Sequence, residues 1–195
     1  MRTAILVKDY INRKDLDYRF YLTLLTNSTY NSKENSIDYI TLNIETIFFG
    51  KEELIKKMNI SDYTFNRGLN NILKSNLIKK NNDLVEVRVK EEGKNFTVIN
   101  EEEIDILIGL SNNAIKIYLA IKFILAGCNE FKPIKLTSLA TMCGLSKGAV
   151  SKTIKKIIIE LEEKKLIELN LKNTKECING KFLNTNIYSF KIVQN

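Results

Sequence analysis

Three groups of side chains have types and spacings that can do chemistry. The first lies in LSKGAVSKTIKK, where Ser146, Lys147, Gly148, Ala149, Ser151, Lys152, Lys155 and Lys156 fall on the outward side of an expected helix. Lysine donates to guanine O6/N7 or to phosphate, serine donates or accepts, and alanine suits a thymine methyl. Ser146 and the start of that helix suit a phosphate, and Gly148 allows close backbone approach. No arginine lies in this helix, so the planar bidentate reader of guanine is missing and backbone contact should dominate. The second group is Ser61, Tyr63, Thr64, Asn66, Arg67 and Asn70. Arg67 suits a guanine, and Asn66 or Asn70 an adenine, while Asp62 beside them opposes phosphate. The third comprises Lys79, Lys80, Asn82 and Arg88, then Lys172, Lys175 and Lys181, in two expected hairpins, where the cations suit phosphate. Lysines also populate any solvated helix face, so each group has a purely solvating alternative.

Chemistry of other kinds has little to work with. The chain has no histidine, the commonest metal ligand and general base. Its three cysteines, Cys128, Cys143 and Cys177, are odd in number and far apart, and form neither a disulfide framework nor a metal knuckle. Glu101, Glu102, Glu103 and Asp105 are the one dense carboxylate set, and the first turn of a helix explains them without a metal. No phosphate-gripping glycine loop is present. The expectation is a non-enzyme without metal or cofactor. No stretch of about 20 apolar residues or signal peptide is seen, so the chain reads as soluble and cytoplasmic with reduced cysteines.

The net charge is +7, and it is uneven. Residues 1–50 balance, whereas residues 111–195 carry fourteen basic against six acidic residues, a net of +8. That favours a polyanionic partner for the C-terminal half.

These side chains need helices, turns and hairpins to position them. Leu16 to Leu25 reads as a first helix, 26–36 as a polar loop, and Ile37 to Phe49 as a strand or a strand leading into a helix. Lys51 to Met58 reads as a short helix, Asn59-Ile60 as a turn, and Ser61 as the cap of a helix burying Phe65, Leu69, Ile72 and Leu73. A hairpin follows from Leu77, turning at Asn81-Asn82-Asp83 and alternating through Val85, Val87 and Val89. Further on, Glu101 to Leu110 is a helix, and Ser111 caps the next, which ends before Gly127 to Pro133. Leu136 to Met142 is a short helix and Cys143-Gly144-Leu145 a turn, with Cys143 a packed thiol. Ser146 then caps a long helix with Val150, Ile154, Ile157, Ile158 and Leu161 inward. A strand starts at Leu166, Asn173 to Lys181 is a polar turn holding Asn179-Gly180, and a last strand starts at Phe182.

This order occurs twice. Leu54, Asn59, Ser61, Phe65, Leu69 and Ile72 superpose on Leu139, Gly144, Ser146, Val150, Ile154 and Ile157 at a constant offset of 85 residues. The strand starts, Leu77 and Leu166, are 89 apart, so the second long helix should gain about one turn. The reading is a duplicated module, with domains 1–95 and 96–195.

The segments LTSLATMCGLSKGAVSKTI (136–154) and IKKMNISDYTFNRGL (55–69) resemble winged helix-turn-helix proteins. Ala140, Gly144 and Val150 sit at the family's small, turn and branched positions, where the first copy has Ile55, Asn59 and Phe65. The tandem pair resembles plasmid and phage replication initiators of low-GC bacteria. The resemblance implies a mainly α fold with small β-hairpins (α+β), two winged modules in tandem, and double-stranded DNA as partner. The function implied is recognition of an origin or related replicon element in replication initiation. A repressor binding promoter DNA through the same modules is the alternative, and a protein-interaction scaffold is a third. Replication or transcription machinery is a further implied partner. The first module reads either as a groove reader or as a dimerisation or docking domain. Ile157-Ile158-Ile159 point three ways around one helix, so Ile159 should meet the other module or a second subunit, which favours a homodimer.

Overall fold

The computed structural model describes residues 3–7, 11–13, 16–26, 29–30, 39–43, 51–74, 78–81, 84–88, 96–146, 148, 152–178 and 181–193. They form a mixed fold with more helix than strand and small open sheets. The chain divides into two compact units, Met1–Ile115 and Lys116–Asn195.

In the first unit, β1 (Thr3–Val7) is followed by α1 (Tyr18–Thr26), β2 (Thr29–Tyr30) and β3 (Tyr39–Asn43). Then come α2 (Lys51–Met58), α3 (Asp62–Lys74), β4 (Ile78–Asn81), β5 (Leu84–Arg88), β6 (Phe96–Asn100) and α4 (Glu101–Leu107). The helix α5 (Asn112–Ile124) begins in this unit and continues into the second. Local chemistry starts these helices. The Asp17 carboxylate accepts from the N–H groups of Arg19 and Phe20 at 3.2 and 3.4 Å, capping α1. Asn100 and Glu103 form a reciprocal capping box on α4, both bonds at 2.8 Å. Ser111 Oγ accepts from Ala114 N–H at 3.2 Å and so opens α5, as its position in the sequence predicts.

Two antiparallel sheets accompany these helices. β3 lies between β2 and β5 in the order β2-β3-β5-β4, and β1 pairs with β6 from Thr3↔Asn100 to Val7↔Phe96. Phe96–Asn100, on the far side of the expected 95/96 boundary, thus pairs with a strand of the first unit. Phe96–Asn100 is zipped to the first strand of the chain, and Ile104 and Leu107 of α4 join the buried core. Within the expected polar loop 26–36, Thr29–Tyr30 is a short strand on β3. The core of this unit gathers Tyr18, Phe20, Tyr21 and Leu22 of α1, Met58 of α2, and Phe65, Leu69 and Ile72 of α3. Leu73 does not join that face; it is 42% exposed. Gly68 is the point of close approach, since a Cβ there would sit 3.3 Å from the Phe20 ring.

The second unit continues α5 and adds β7 (Lys132–Pro133), α6 (Leu136–Met142), α7 (Thr153–Glu163), β8 (Ile167–Ile178) and β9 (Lys181–Ile192). Its sheet runs β7-β9-β8. Every residue of α5 from Ala114 to Ile121 is buried, Lys116 included. Leu136, Leu139, Ala140, Cys143, Ile154, Ile157, Ile158, Leu161, Leu166, Ile167 and Phe190 complete this core. Three expectations are corrected here. Among the described residues α7 starts at Thr153, with Lys152 at the cap position and Gly148 in a separate turn, so the helix does not run from Ser146. Glycine at 148 and serines at 146 and 151 make that stretch a poor helix former. At 11 residues the described α7 is also shorter than the 13 of α3, not one turn longer. Asn173 to Ile178 is strand rather than turn, so β8 and β9 pair over 12 residues each. Val89 and Val150 lie outside the described residues.

The sequence offset reappears in the backbone. Asn59 and Gly144, 85 residues apart, both have positive φ, 49° and 65°. Each closes its helix with the same pair of bonds. Asn59 N–H donates to Lys56 O (3.1 Å) and Ile60 N–H to Ile55 O (3.2 Å). Gly144 N–H donates to Thr141 O (3.1 Å) and Leu145 N–H to Ala140 O (2.8 Å). This is the Schellman closure, which needs one left-handed residue. Glycine fills that position without strain and asparagine at a modest cost. Asn59→Gly is therefore expected to raise stability by up to ~1 kcal/mol, and Gly144→Asn to lower it, read from denaturant midpoints.

Candidate functional site

The outward face of α3 is built from its capping turn. Ser61 Oγ accepts from Thr64 N–H at 3.2 Å, and the two hydroxyls lie 2.9 Å apart. With Phe65, Leu69 and Ile72 turned inward, Tyr63, Asn66, Arg67 and Asn70 share one exposed stripe at helical spacing. Tyr63 is 74% exposed. Asp62, the carboxylate that opposes phosphate, is exposed, but it pairs with Lys51 and accepts from Asn66 Nδ2 at 2.8 Å. Lys51 Nζ also lies 5.8 Å from the centre of the Phe65 ring. Nothing in the sequence pattern singles out Lys51, because its partner sits across a turn on the next helix.

On α7, Lys152, Lys155, Lys156 and Ile159 form the exposed stripe, with Ile154, Ile157, Ile158 and Leu161 buried behind it. Among the described residues none of these three lysines carries an ion pair. The charges of this helix run against its dipole, with no acid in the first turn and no base in the last. The lysines crowd the positive end, while Glu160, Glu162 and Glu163 occupy the negative one. Such an end is stabilised by an added anion. Glu162 has one local role, accepting from Leu169 N–H at 3.3 Å.

The remaining candidates are scattered. Ser146 and Gly148 are exposed, and a Cβ on Gly148 would meet nothing within 4 Å. Lys147, Ala149, Ser151 and Asn82 lie outside the described residues. Lys79 and Lys80 are on β4, in register with Glu86 and Val85, and Arg88 on β5 faces Tyr39 in the ladder. Lys172, Lys175 and Lys181 lie on the long hairpin, opposite Ile187, Asn184 and Ile178. Lys175 and Lys181, expected in a turn, are strand residues.

Cys143 is buried in the turn after α6, beside the buried cation Lys116 of α5. Burial pushes its thiol up from 9.0 to about 12, and Lys116 pulls it part of the way back. The neutral thiol is the folded form. Its contribution to stability is full below pH 9 and is lost as pH rises towards 12, because the unfolded thiol ionises first. The stability gap between the native chain and Cys143→Ala is expected to narrow across that window in parallel denaturant titrations. A constant gap would contradict it.

Among the described residues no cluster of His, Cys, Asp or Glu gathers as a metal site, and no helix is long and apolar enough to cross a membrane. Comparison with protein-family models and with curated proteins returns no match.

Proposed function

We propose that this chain binds double-stranded DNA through two winged helix-turn-helix modules, with α3 and α7 as the groove-facing helices. The observation that carries the reading is the repeated closure at Asn59 and Gly144, followed in each unit by a long helix and a hairpin. In both, the strand before the helix pair lies beside the last strand of the hairpin, giving the orders β3-β5-β4 and β7-β9-β8. Supporting it are the exposed Tyr63–Asn66–Arg67–Asn70 stripe and the lysines at the positive end of α7. Ile159, 51% exposed with Ile157 and Ile158 buried, is left uncovered on this helix, which supports the homodimer. The hairpins supply backbone contacts in this reading.

The biological role we assign is recognition of an origin or related replicon element in plasmid or phage replication initiation, by a homodimer. Two reading modules on one chain suit a site made of repeated elements. Footprinting on the replicon and on the gene's own promoter tests this: protected direct repeats at an origin support initiation, and a palindrome over a promoter assigns repression instead. Sedimentation on and off DNA measures the dimer. Within the same reading, Arg67→Ala is expected to alter base preference at one position of the site by a factor of roughly 10. Lys152→Ala should weaken all sequences alike, and binding curves on matched specific and random duplexes separate the two.

A further inference from the structure

A cavity of about 540 Å³ opens in the second unit where β7 ends, walled by Pro133, Ile134, Leu136, Ile187 and Tyr188, with Lys135 among its lining residues. It adjoins a strand edge that no described strand pairs with. β7 pairs with β9 only at Lys132↔Phe190 and Pro133↔Ser189, and the last bond runs from Ile134 N–H to Tyr188 O at 2.9 Å. The chain then turns into α6. In an antiparallel ladder alternate residues turn their N–H and C=O the same way. Asn186, Asn184 and Phe182 therefore present theirs on the side that Tyr188 offers to β7, where no described strand pairs with them. Pro133, which has no N–H, closes the outer edge of β7 to pairing, so on this side of the sheet the unpaired edge is that of β9. Lys135, which lines the cavity, stands exposed, without an ion pair among the described residues.

An open edge for main-chain hydrogen bonds beside an apolar pocket is the arrangement by which a sheet takes up an extended peptide. We infer that the β9 edge and this cavity form a docking site for an extended acidic segment of a partner protein. The segment adds a strand along Asn186 to Phe182 and sets an apolar side chain into the cavity. A carboxylate beside it meets Lys135. The edge lies on the hairpin that supplies backbone contacts in the proposed function, but the test uses no DNA, so its failure is distinguishable from failure of the DNA reading.

The test pans phage-displayed random dodecapeptides against the full chain, with Asn186→Pro as counter-target. That substitution removes an edge N–H that β8 does not use. The expected winners alternate, carry acidic residues and share one apolar position. As synthetic peptides they should bind roughly tenfold more weakly to Asn186→Pro and to the exposed charge reversal Lys135→Glu. Methylating the peptide nitrogens along one edge should weaken binding by a similar factor, and along the other edge should not. Equal enrichment on Asn186→Pro, or winners that are basic, would overturn the proposal. So would peptide binding that ignores the edge and needs only the cavity. Self-association of the chain abolished by Asn186→Pro, with no peptide bound, would assign the edge to a second copy and overturn it as well.

Discussion

Replacing Lys152, Lys155 and Lys156 together by glutamate is expected to cut affinity for duplex DNA by at least ~100-fold and to flatten its salt dependence. Each phosphate contact contributes about 0.9 to the slope of log K against log salt, so losing three should lower that slope by roughly 2.7. Stability should move the opposite way. These lysines sit at the end of α7 where the helix field disfavours cations, and glutamates there would stabilise the helix by a few tenths of a kcal/mol each, about 0.3 or more. A triple variant that unfolds no earlier than the native chain, yet no longer retards DNA, separates binding from folding. Unchanged affinity would remove α7 from the interface.

Phe65→Ala is expected to cost the first unit about 3–5 kcal/mol, the range for deleting a buried aromatic ring. The ring is 1% exposed and meets Phe20 edge to face, centroids 4.9 Å apart and planes at 62°. Lys51 lies over it. The cavity would open between α1 and α3, where Gly68 already brings the helix backbone against Phe20. The second unit has its own core, so two unfolding transitions are expected in the variant, with only the earlier one shifted. Calorimetry or denaturant titration followed at two probes reads this directly. A single transition moved as a whole would mean that the units unfold together.

The parts legible in the sequence are those encoded within a few residues. A helix closed by a left-handed residue leaves a local signature, so the turns at Asn59 and Gly144, and their spacing, are legible from residue types alone. The same holds for Ser111 at the start of α5 and the acidic first turn of α4. Pairings between distant segments are not legible in this way. Nothing in Thr3–Val7 announces Phe96–Asn100 as its partner. The length of the second hairpin is hidden for another reason. Asn173 to Ile178 lacks alternating apolar residues, the signal of a half-buried strand, whereas strands held to each other by 12 paired positions do not need it. The candidate stripes on α3 and α7 are legible because burial of Phe65, Leu69, Ile154 and Ile157 fixes which sides face outward. The Lys51–Asp62 pair is not, since it joins two helices across a turn.

The boundary inside α5 constrains how the molecule can be dissected. A fragment beginning at Lys116 would start in mid-helix, without the Ser111 hydroxyl and with a fresh set of unbonded amide hydrogens at its new end. One ending at Ile115 would keep less than half of the helix. Independent expression of the halves therefore calls for overlapping pieces, each carrying the whole of Ser111 to Ile124.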